Sequence, residues 1–88
     1  MRVVVTRIEQ DGTMQRRVVD TAQASGGRQW EDLAARALAV PPPYNPVPGT
    51  PIYHVSTDEG TAVLVAEGDL SGPLLDLVTA VLAMGAPV

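Results

Sequence analysis

Apolar positions along this chain follow two rhythms. Residues 2–10 (RVVVTRIEQ) and 13–20 (TMQRRVVD) are rich in β-branched side chains, and Asp11-Gly12 lies between them. Asp-Gly between two such runs predicts a hairpin. A two-residue loop would set Ile8 opposite Gln15, Val5 opposite Val18 and Val4 opposite Val19. It would also set Arg7 opposite Arg16, an unfavourable like-charge pair. Either a bulge shifts this register or a carboxylate lies beside the arginines. A second alternating run, residues 52–57 (IYHVST), is followed by Asp58-Glu59-Gly60 and by 61–67 (TAVLVAE). With a three-residue loop, Tyr53, Val55, Val63 and Val65 share one face and Ile52, His54, Ala62, Leu64 and Ala66 the other. The first set is bulkier and is the expected core face.

The other rhythm is helical. Trp30, Leu33, Ala34, Ala37 and Leu38 form one stripe, which predicts a helix over 29–40 with Trp30 in the core. Glu31 and Asp32 would lie in its first turn, and Asp32 is spaced to pair with Arg36. Residues 21–28, with Gly26-Gly27, read as a loop. Pro41-Pro42-Pro43 must end the helix. Residues 41–51 contain six prolines and read as a stiff extended connector. Leu74, Leu77, Val78, Val81 and Leu82 form a second stripe over 73–84, entered through Ser71-Gly72-Pro73 and stopped by Gly85 and Pro87. The order is ββαββα. One α+β domain over 1–88 is expected, with hairpins 2–20 and 52–67 building a four-stranded antiparallel sheet and both helices packed on one face.

Composition narrows the function classes. The 88 residues include six Arg, no Lys and ten Asp or Glu, for a net charge of −4. That sign disfavours a cationic nucleic-acid surface, so no nucleic-acid partner is expected. With no Cys there is no disulfide framework and no Cys-based zinc site. The apolar start, Val3-Val4-Val5, is too short for a signal-peptide core, and no run reaches the ~20 residues of a membrane span. A soluble, cytoplasmic protein with no membrane partner is the expectation.

Candidate chemistry is sparse. His54 is the only histidine. Ser56, two residues on, mimics a Ser–His pair, but no Asp is placed to orient the ring, so no catalytic residue is assigned. The acidic pairs Asp58-Glu59 and Glu67-Asp69 match no calcium-loop pattern. Gly26-Gly27 is no phosphate loop. Neither a metal site nor a cofactor is expected. Arg7, Arg16 and Arg17 would form a small basic patch on the first hairpin. The stronger candidates are contact surfaces. A stiff loop with an exposed aromatic loses little entropy on binding, which singles out Pro43, Tyr44, Asn45, Pro46 and Val47. The first hairpin tip, Gln10, Asp11, Gly12 and Thr13, is the second such surface. A different possibility is assembly through a sheet edge supplied by residues 1–10 or 61–67.

The segments MRVVVTR, RRVVDTA, IYHVST, TAVLVAEGDL and GPLLDLVTAVL, with an amphipathic helix and a Pro-rich linker between the second and third, resemble the emfourin (protealysin inhibitor) family. The resemblance spans about residues 1–83 and is carried by the order and spacing of short motifs. It departs at the hairpin tip, Glu9-Gln10-Asp11-Gly12, and in having Leu38, Val40 and Tyr53 where relatives tend to carry Phe. The resemblance implies a small bacterial inhibitor whose partner is a thermolysin-like zinc metallopeptidase. It identifies no inhibitory residue. Such an inhibitor presents a poorly cleavable surface to the cleft, for which the Pro-rich loop and the hairpin tip are the candidates.

Overall fold

Strand β1 (Arg2–Ile8) is the middle of an antiparallel sheet in the computed structural model, which describes residues 1–88. It is flanked by β2 (Met14–Asp20) on one side and β3 (Ile52–Thr57) on the other. Outside β3 lies β4 (Ala62–Ala66). Outside β2 lies a two-residue strand, β5 (Ala86–Pro87), giving the order β4-β3-β1-β2-β5. The expected α+β class and ββαββα order hold, and the sheet gains a short fifth strand. Residues 1–10 therefore form the centre of the sheet and not an edge.

The first hairpin settles the like-charge conflict by register. Val5 pairs with Arg17 and Thr6 with Arg16, one residue away from the pairing of a two-residue loop. The loop has three residues, Gln10, Asp11 and Gly12, closed by Glu9 N–H donating to Thr13 O at 2.9 Å. Gly12 takes φ 88°, the left-handed residue that ends a type I turn in such loops. Arg16 now meets Thr6, and its Nε donates to the Thr6 hydroxyl at 3.1 Å. The second hairpin repeats the geometry with Asp58, Glu59 and Gly60, where Gly60 has φ 91° and Thr57 N–H donates to Thr61 O at 2.9 Å. That loop has the length expected from sequence.

Helix α1 forms over Gly27–Ala37 and α2 over Gly72–Met84. Gly26 is the N-cap of α1, so Gly27 belongs to the helix and not to the preceding loop. With the start moved forward, Glu31 and Asp32 leave the first turn. Glu31 instead accepts from the Thr21 hydroxyl at 2.7 Å, tying the helix to the end of β2. Asp32 and Arg36 form no ion pair; the two in the structure are Met1–Glu31 and Arg7–Glu9. The helices pack together and against the sheet.

The core collects Val3, Val5, Val55 and Val65 from the sheet with Leu77 and Val81 from α2, none of them exposed. Tyr53 joins them at 4% exposure, so the bulkier face of the second hairpin does point inward. Trp30 does not become a core residue. It is half-buried and lines a shallow cavity between the helices with Leu33, Ala80 and Met84.

Leu77→Ala should lower stability by about 2–5 kcal/mol, since it opens a cavity in a fully buried site. Urea unfolding checks this, and a loss below 1 kcal/mol would contradict the described core, roughly by the same scale. Gly12→Ala should cost about 1–2 kcal/mol for its left-handed backbone, and Gly12→Asn distinctly less, read in the same experiment.

Candidate functional site

Pairing of the strands decides what meets at one end of the molecule. Ile8 pairs with Met14 on one side and Ile52 on the other, and Ile52 pairs with Ala66. The first hairpin tip, the end of the Pro-rich loop and the 3₁₀ turn Glu67–Asp69 therefore all leave the sheet at the same end. The two candidate segments, distant in sequence, are brought to one side of the fold. Gln10, Asp11, Gly12 and Thr13 are all exposed, as are Pro43, Tyr44, Asn45, Pro46 and Val47. Tyr44 is 45% and Val47 54% exposed.

Each segment is held by hydrogen bonds. At the tip, Asp11 Oδ1 accepts from Thr13 N–H at 2.9 Å and from the Thr13 hydroxyl at 2.6 Å. These bonds favour the charged carboxylate and hold Asp11 below its ordinary pKa, with the hydroxyl contributing most. Along the loop, Asn45 N–H donates to Asp69 Oδ2 at 2.6 Å and its side-chain amide donates to Asp69 Oδ1 at 3.3 Å. The 3₁₀ turn thus grips the middle of the loop with both oxygens of one carboxylate. Beyond it, Thr50 N–H and its hydroxyl both donate to Val47 O, at 3.1 and 2.7 Å, closing a turn before β3.

At this end of the sheet, between β1, β3 and α2, runs a groove of about 620 Å³ lined by Arg7, Tyr53, Glu67, Leu75, Val78 and Leu82, among others. Arg7 lies 6.0 Å from the centre of the Tyr53 ring. Its buried Nε is 2.7 Å from Glu9 Oε1, a close ion contact at an angle short of a hydrogen bond. The Tyr53 hydroxyl donates to Glu67 Oε1 at 3.1 Å. Burial is the main reason the Tyr53 phenol is pushed above its ordinary value; the Arg7 charge opposes this and the bond to Glu67 adds to it.

Several residues at this end escaped sequence reasoning. Glu67 and Asp69, noted in the sequence only as an acidic pair that matches no calcium loop, hold Tyr53 and Asn45. The expected basic patch of Arg7, Arg16 and Arg17 does not form. Arg7 and Arg17 share the face of Val5, while Arg16 projects from the opposite face beside Thr6. His54 and Ser56 share that opposite face, with Thr6 and Val4 as their β1 partners, and no hydrogen bond joins them. No group of three or more His, Cys, Asp or Glu side chains is arranged to hold a metal ion, and no helix is long and apolar enough to cross a membrane. No family model matches the chain, and searches of curated proteins and of solved structures gave no match either.

The phenol of Tyr53 gives this end a measurable signature. Its folded pKa is raised, so its contribution to stability is complete below about pH 10.0 and is lost as pH rises through the folded value. In a Tyr44→Phe variant, phenolate absorbance should rise with a midpoint above 10.0, and stability should fall over the same alkaline range. A midpoint at or below 10.0 would contradict the buried, Glu67-bonded hydroxyl.

Proposed function

We propose that this domain is a proteinaceous inhibitor of a thermolysin-like zinc metallopeptidase and blocks the active-site cleft with the end of the sheet that carries Gln10–Thr13 and Pro43–Val47. The supporting observation is that these two exposed segments lie toward the same end of the sheet, each fastened by side-chain hydrogen bonds. A segment already held in one shape loses little entropy on docking, so more of the contact energy remains as affinity. Prolines at 43, 46 and 48 remove N–H donors along the loop. A peptidase that binds substrate as an extended strand finds no continuous ladder there to cleave. Tyr44 is the aromatic anchor of the surface, and Gln10 and Asp11 supply its polar contacts. Inhibition on this reading works by occlusion and asks for no metal ligation by the domain itself.

The test is titration of a thermolysin-like peptidase with the domain. Saturable loss of peptidase activity is expected. Tyr44→Ala and Gln10→Ala should each weaken inhibition about tenfold, the scale of an interface hot spot. Peptidase activity unchanged at large molar excess of the folded domain would reject the proposal.

A further inference from the structure

The two lateral borders of the sheet are finished differently. β2 is covered by β5, which places Pro87 beside Arg17, and a proline removes a donor from that border. β4 has no strand beyond it. Thr57 N–H donates to Thr61 O and Glu67 N–H to Pro51 O, at 2.9 and 3.2 Å. With the β3–β4 register, these bonds turn the backbone groups of residues 61, 63, 65 and 67 toward β3. The N–H and C=O groups of Ala62 and Leu64 therefore point outward. Both residues are exposed, and residues 61–66 carry neither a charge nor a proline. The common devices that blunt a sheet edge are absent from this stretch.

Charge flanks it on both sides. Asp58 and Glu59 stand in the tip before β4, and Glu67 and Asp69 stand behind it. None of the four forms an ion pair. A second copy of β4 running antiparallel would bring the acidic tip of one copy against Glu67 or Asp69 of the other. That repulsion disfavours pairing of two copies through this border. A strand with cationic ends meets the opposite situation, with attraction at both ends and unfilled backbone partners between.

We infer that the outer border of β4, from Thr61 to Leu64, takes an extended cationic segment of another protein as an added strand. The backbone of that segment pairs with Ala62 and Leu64. Its β-branched or aliphatic residues cover Leu64, which is 40% exposed, and its flanking Arg or Lys residues meet Glu59 and Glu67. This border lies along the side of the sheet, so the inference does not rest on the inhibitor reading.

The probe is an acetylated and amidated peptide, Arg-Thr-Val-Thr-Val-Thr-Arg, compared with the same peptide flanked by Glu. Binding is followed by NMR and amide hydrogen exchange on the full chain. The Arg-flanked peptide should bind saturably, slow exchange at the Ala62 and Leu64 amides, and bind more weakly as salt is raised. Leu64→Pro removes the outward donor at a position where an edge strand tolerates proline, and should abolish binding. Glu59→Gln combined with Glu67→Gln should weaken binding several-fold, and this variant carries the test if Leu64→Pro does not fold. No binding at millimolar peptide, equal binding of the Glu-flanked peptide, protection at other amides, or self-association through the same border would each overturn the inference.

Discussion

Burial of β1 between two strands and beneath α2 is the constraint on which the rest of the molecule depends. Val3 and Val5 are fully buried, and they meet Val55 on one side while Leu77 and Val81 complete the core. Because side chains alternate along a strand, fixing these two valines fixes every other residue of β1. Thr6 goes to the outer face with Arg16, and Arg7 goes to the helix side beneath α2. A slip of one residue would turn Arg2, Val4 and Thr6 toward the helices in place of the valines. The register of the whole sheet is therefore set by hydrophobic burial at its centre and transmitted outward through pairing.

That same pairing creates the candidate site. Ile8, Ile52 and Ala66 lie side by side, so whatever follows or precedes them must emerge together. The hairpin tip, the end of the proline loop and the 3₁₀ turn become neighbours with no direct sequence relation. The Asp69 carboxylate then converts proximity into rigidity by gripping Asn45 twice. Prolines stiffen the loop locally, and the Asn45–Asp69 contact anchors its middle to the body of the fold, as the Glu67 N–H bond to Pro51 O anchors its end.

Much of the fold was legible in the sequence because it rests on periodicity. The alternation in residues 52–67 predicted the inward face of Tyr53, Val55 and Val65. The stripe Leu74, Leu77, Val78 and Val81 predicted α2 and its buried side. What could not be read depended on choices between near-equal local options. Asp-Gly suits both a two-residue and a three-residue loop, and the difference of one residue moved Arg16 from Arg7 to Thr6. The start of α1 shifted because Gly26 serves as its N-cap. β5 is two residues long and has no pattern of its own. The site was half legible. Exposed stiffness at Pro43–Val47 follows from composition, but the Asn45–Asp69 and Tyr53–Glu67 bonds join residues far apart in sequence, which no local pattern encodes.

On the proposed function, the domain meets its partner with an end that is already stiff. Backbone ¹⁵N relaxation of the free protein tests it most directly. The Asn45 and Val47 amides should show order parameters close to those of the core strands, about 0.85 on the usual scale. Values below about 0.6 at these amides, with β1 rigid, would show a loop that is mobile until bound and would contradict the account.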